Sequence, residues 1–95
     1  MYVGVARVVL LIHGAFSLKD KRAVVKKVKD RVRSRYNVSI AEVGSNDTWN
    51  QAEIGISMVS NDHRYVNSNL DKVLAFVEEM HVAEVADQEL TIERY

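Results

Sequence analysis

A chain of 95 residues builds one hydrophobic core and seldom two, so one domain over residues 1–95 is expected and a multidomain enzyme is excluded. With 47% hydrophobic and 27% charged residues the composition is that of a folded protein, and the lack of cysteine rules out disulfides, cysteine-ligated metal and thiol nucleophiles. Net charge is zero, yet nine of the thirteen cations fall between Lys19 and Arg35 with only Asp20 and Asp30 among them, so this stretch carries +7 and the remainder −7.

Val3 to His13 reads as a long strand, rich in β-branched residues and stopped by Gly14. Ala6, Val8, Leu10 and Ile12 give it one apolar face, and Arg7, Val9 and Leu11 share the other, which predicts a central strand. Ser17 followed by Asp20 is a capping-box pattern with Asp in place of the usual Glu, and it opens a helix over about Leu18 to Tyr36. Leu18, Val25, Val28, Val32 and Tyr36 fall on one helical stripe, the predicted buried face. Val38 and Ile40 alternate with Ser39 and Ala41 in a second strand that reaches Val43, and Gly44-Ser45-Asn46-Asp47 is dense in turn formers. A hairpin then leads to a third strand, where Ala52, Ile54, Ile56 and Met58 alternate with Glu53, Gly55, Ser57 and Val59. Ser60-Asn61-Asp62 offers caps for a second helix, in which Val66, Leu70, Val73, Leu74, Val77 and Met80 recur at helical spacing. Leu90 and Ile92, flanked by Glu89, Thr91 and Glu93, predict a short last strand.

This β-α-β-β-α-β order predicts an α+β fold, the ferredoxin-like sandwich: a four-stranded antiparallel sheet with two helices on one face. Strands one and three are then central. The loops that follow them, His13 to Ser17 and Ser60 to Arg64, are expected side by side.

With the elements in place, three segments resemble the YlxP-like family of small bacterial proteins of unknown function. They are His13-Gly14-Ala15-Phe16-Ser17-Leu18-Lys19-Asp20-Lys21-Arg22, then Asn37-Val38-Ser39-Ile40-Ala41-Glu42-Val43, and Val59-Ser60-Asn61-Asp62. The similarity extends over essentially the whole chain. It implies a ferredoxin-like fold, cytoplasmic residence and genes lying among those for translation initiation and ribosome maturation, without supplying an activity. Family members often carry acidic residues on the outer face of strand one, where this chain has Arg7 and Val9.

The basic helix is the most informative feature. Lys19, Arg22, Lys26, Lys29 and Arg33 step by three and four residues, forming one ridge about 21 Å long at ~1.5 Å per residue, enough to follow several phosphates. Lys27 and Arg31 widen the positive field on the other flank. Acids that could compensate at i,i+4 are nearly absent, so a polyanion surface competes with an ordinary solvated helix face. Structured or ribosomal RNA is the expected partner, on the strength of the family's gene neighbourhood.

Lys21 shares the stripe of Leu18, Val25 and Val28. Either its stem covers apolar surface with the ammonium in water, or it joins Arg22, Asn61, His63 and Arg64 in a small-anion or phosphate pocket built from the two apposed loops, where a helix N-terminus would add free N–H groups. Outward sheet positions hold no aromatic residue, so bases are not expected to stack there as they do on an RNA-recognition motif. An apolar patch of Val9, Leu11 and Val59, rimmed by Arg7, Glu53, Glu89 and Glu93, suggests a protein-interaction face or a homodimer; the alternative is a plain open sheet. Trp49, at the hairpin exit, either lies over the end of the core with its indole bonded locally or stacks on a base or partner.

His13, His63 and His81 have no metal-ligand spacing, and no nucleophile–base pair is recognisable, so neither metal, cofactor nor enzymatic activity is expected. The longest apolar run, Val8 to Ile12, is far below the roughly 20 residues that span a bilayer, and no leader pattern opens the chain, so no membrane partner and a cytoplasmic location are expected.

Overall fold

The computed structural model describes every residue from Met1 to Tyr95. β1 (Tyr2–Leu11), α1 (Leu18–Arg35), β2 (Ser39–Gly44), β3 (Gln51–Ser60), α2 (His63–Glu79) and β4 (Glu84–Arg94) follow one another in the predicted order. The strands form one sheet, β2-β3-β1-β4, in which every neighbouring pair is antiparallel. Both helices pack on the same face, which gives the ferredoxin-like sandwich.

Strand parity decides what lies between the layers. β1 turns Gly4, Ala6, Val8 and Leu10 inward, and β3 turns Ala52, Ile54, Ile56 and Met58 inward. Against them lie Val25, Val28 and Val32 of α1 and Val66, Leu70, Val73, Leu74 and Val77 of α2. Each such branched side chain stabilises the fold by about 1.5–3 kcal/mol relative to exposure. At Gly4 the approach of α2 is so close that a β-carbon would overlap Val66 and Leu70, so glycine here sets the depth at which the second helix seats.

The helix starts are fixed locally. The Ser17 hydroxyl accepts from the Asp20 N–H at 3.1 Å, and Asp20 Oδ2 accepts from the N–H of Phe16, one residue ahead of the cap, at 3.0 Å. Of the three candidates before α2 it is Asp62 that caps, accepting from Arg64 and Tyr65.

β4 is longer than the short strand predicted around Leu90 and Ile92. Its pairing with β1 shifts register at Val9/Leu10: Val9 faces Asp87 and Leu10 faces Val85, so Ala86 is extra. Inward positions therefore run Val85, Gln88, Leu90, Ile92, and a period-two reading breaks at the bulge.

A second correction concerns the loops. Because β1 and β3 are antiparallel, Leu11 faces Gln51 while Tyr2 faces Ser60. The connections after β1 and after β3 therefore leave from opposite ends of the sheet, about 30 Å apart at ~3.4 Å per residue. No pocket unites Lys21 with His63 and Arg64. His63 lies edge-on to Tyr2, with ring centroids 5.5 Å apart, at the far end from Lys21.

Candidate nucleic-acid interface

α1 has two charged populations with different surroundings. On its outer side Lys19, Arg22, Lys26 and Arg33 are exposed and Lys29 is half-buried. Only Lys26 finds a carboxylate, Asp30 one turn on at 2.6 Å; the other four make no ion pair within the chain. Arg33 leans across to β2 and donates from Nη2 to the Ile40 carbonyl at 3.0 Å. The hydrogen bond from Lys26, aided by the fields of Lys26, Arg33 and Lys29, holds the Asp30 carboxyl below its ordinary value. Behind the ridge, Arg35 sits over the Phe76 ring, 4.9 Å from the centroid, which ties the end of α1 to α2.

Lys21 belongs to the other population, and here the expectation of a solvated ammonium is corrected. The residue is 1% exposed. Its Nζ donates to the carbonyls of Ser45 at 2.7 Å and of Asn46 and Gln51 at 3.3 Å, and it lies 2.8 Å from Glu42 Oε2. Glu42 faces the helices because it shares the inward parity of Ile40 on β2. A buried ammonium is tolerated only when paired and hydrogen-bonded, and this one gains every contact from the β2–β3 hairpin. Ser45 has φ 59°, in the left-handed region, and its carbonyl accepts from both Lys21 and the Thr48 N–H. Lys21 is thus a clasp between helix and hairpin, with no proton left for a bound anion. His63 and Arg64 are exposed at the start of α2, at the other end of the sheet.

The open sheet face departs from the expected patch for the same geometric reason. Val9 and Leu11 face Glu53 and Gln51 near the hairpin end, whereas Val59 faces Val3 at the opposite end. Between them stands Arg7, held by Glu53 on β3 and by Glu89 at 3.0 Å and Asp87 at 3.9 Å on β4. The Glu53 hydrogen bond foremost raises the guanidinium's pKa, so Arg7 bridges three strands as a permanent cation among carboxylates. The exposed apolar ground is Val5, Val43 and Val59 with half-buried Val3, not a Val9–Leu11–Val59 cluster.

Trp49 is 43% exposed and its ring neighbour is Phe16, a residue the sequence reading left without a role. Their pairing joins two loops far apart in sequence, which no local pattern signals. Glu42 did carry a signal, since it and Lys21 are opposite charges on two core-facing stripes. No three His, Asp or Glu side chains are grouped to hold a metal ion, and no helix is long and apolar enough to cross a membrane.

Known proteins give the chain a family and a fold. A de novo designed protein with ferredoxin fold, solved by solution NMR, superposes with a TM-score of 0.56 over 100% of this chain and 87% of its own, at 19% identity. A putative chlorite dismutase aligns with a TM-score of 0.47 and 13% identity over 97% of this chain and 44% of its own. The uncharacterized protein YlxP of Bacillus subtilis (strain 168) is 42% identical over 76 residues, which cover 80% of this chain and 83% of that protein. Residues 3–90 match the family described as protein of unknown function, DUF503. By that match and the YlxP identity together, the chain belongs to the DUF503, YlxP-like family.

Proposed function

We propose that this protein is a non-enzymatic binding module that contacts structured RNA, ribosomal RNA included, through the outer side of α1. One observation carries the reading: Lys19, Arg22, Lys29 and Arg33 lie along one helix side with no carboxylate partner from the same chain. The two carboxylates that do pair with α1 cations, Glu42 and Asp30, go to Lys21 and Lys26. A polyphosphate chain is the complementary ligand, because it supplies regularly spaced anions and releases its counterions on binding. The sheet face holds Arg7 among carboxylates and its strands turn no aromatic side chain outward, Tyr95 at the margin being bonded to Glu93, so contact is dominated by phosphates at the helix.

The test is RNA binding followed by anisotropy across a salt series. If about four phosphates are neutralised, log K falls with log salt with a slope of roughly −3 to −4. Lys19→Glu, Arg22→Glu and Lys29→Glu combined abolish binding while the far-ultraviolet spectrum and melting temperature stay. Retained RNA binding by that variant overturns the reading.

A second reading is self-association through the sheet face, favoured by one observation: Val5 and Val59 are 49% and 62% exposed beside half-buried Val3. Sedimentation velocity decides it, since a dimer dissociated by Val59→Arg supports the reading and a monomer at high concentration overturns it.

A further inference from the structure

The end of the molecule where the β1–α1 connection meets the β2–β3 hairpin displays two aromatic side chains that the core does not use. Phe16 is 80% exposed and Trp49 43%, and neither is a member of the buried cluster. Their rings lie 26° from parallel with centroids 6.4 Å apart, within the range of offset aromatic pairs. They project from braced backbone. Phe16 is anchored through its N–H to Asp20, the hairpin is clasped by Lys21 at Ser45, Asn46 and Gln51, and the Asn50 carbonyl accepts from the Ile12 N–H at 2.9 Å. Two flat apolar surfaces are therefore held in water at fixed positions, which is a pre-organised arrangement for stacking.

α1 begins two residues after Phe16, and the ridge starts at once with Lys19 and Arg22. The aromatic platform and the first free cations thus share one end of the molecule. We propose that Phe16 and Trp49 form a stacking platform for an unpaired nucleobase whose phosphate chain continues along the α1 ridge. The preferred ligand is then RNA at a junction between paired and unpaired nucleotides, not uniform duplex. An apolar peptide would cover the rings and leave Lys19 and Arg22 unneutralised, whereas a nucleotide chain brings a planar π-face and an anion in every unit. This inference rests on the RNA reading above and specifies what that site selects.

Trp49 is the only tryptophan, so its emission reports on the platform alone. The wild-type protein is titrated with a blunt RNA duplex and with the same duplex carrying a short unpaired overhang. The overhang quenches Trp49 emission and strengthens binding about tenfold. Phe16→Ala with Trp49→Ala, read by anisotropy of labelled RNA, removes the preference for the overhang and leaves the blunt-duplex affinity and salt slope unchanged. Phe16→Ser alone, at so exposed a position, gives a partial loss without risk to folding. Equal affinity for both RNAs with no quench overturns the platform while leaving the ridge reading intact. Absence of any salt-dependent RNA binding overturns both, and quenching by an apolar peptide but not by the overhang assigns the platform to protein docking.

Discussion

Lys21 and Arg22 are adjacent in sequence and differ in everything that a fold can give a cation. The Lys21 ammonium has a carboxylate and three carbonyls around it and is sealed from water, while the Arg22 guanidinium is exposed and makes no ion pair within the chain. One step of about 100° around the helix separates the two conditions. The difference teaches where the structural duty of this helix stops. Charge on the inward side is answered by the chain's own carboxylate and carbonyls, and on the outward side only Lys26 finds a carboxylate, which leaves most of that charge for something else to answer.

The comparison is broken most forcefully at Lys21. Replacement by Met leaves the Glu42 carboxylate facing the core without its counter-charge and takes one donor from each of three carbonyls, and about 3–5 kcal/mol of stability is lost in urea unfolding. The double variant Lys21→Met with Glu42→Leu recovers part of that loss, because the inward carboxylate goes too, but not all, because the Ser45, Asn46 and Gln51 carbonyls still lack the Lys21 donor. A single Lys21→Met variant as stable as the wild type would sink the account of a clasp. On the outward side, Lys19→Glu with Arg22→Glu changes unfolding free energy by no more than about 0.5 kcal/mol, while RNA affinity falls strongly. Were stability to fall as it does for Lys21, the two sides would not differ as described.

The smallest effect belongs to Asp30. Its folded carboxyl titrates below its unfolded value, so the stability it contributes is present above the unfolded value and is lost as pH falls through the lowered folded one. Thermal melts carried from neutral pH down through the carboxylate range therefore show a shallower acid limb for Asp30→Asn than for the wild type. The same substitution removes one of two acids from α1 and raises RNA affinity slightly at neutral pH.

How much of this was legible in the sequence depends on the distance over which each pattern acts. Alternation in Ala6–Ile12 and Ala52–Met58, helical spacing in Val25–Val32 and Val66–Val77, and the cap at Ser17 are local, and they suffice for the order of elements and hence the fold. The ridge is also local, since five cations on one helix side need no tertiary information. β4 was half hidden because its bulge at Ala86 breaks the alternation. The pocket of Lys21, His63 and Arg64 does not form because the C-terminal ends of antiparallel β1 and β3 point away from each other, and the same strand direction separates Val59 from Val9 and Leu11. The aromatic pair lay beyond reach for another reason, and of the clasp only the two opposite charges on core-facing stripes were legible. Each consists of residues contributed by separate elements, and only their meeting in space gives them a role.

The irregularity in β4 has a consequence for how copies of this protein treat one another. β4 is the outermost strand on its side and eleven residues long, and an uninterrupted margin of that length is a template on which a second chain can add. The kink at Ala86 interrupts its straight run, and Glu84, Asp87, Glu89 and Glu93 line it with like charges that would confront their counterparts on an approaching copy. The margin thereby resists runaway strand-to-strand polymerisation, a safeguard against aggregation in a small sandwich without disulfides.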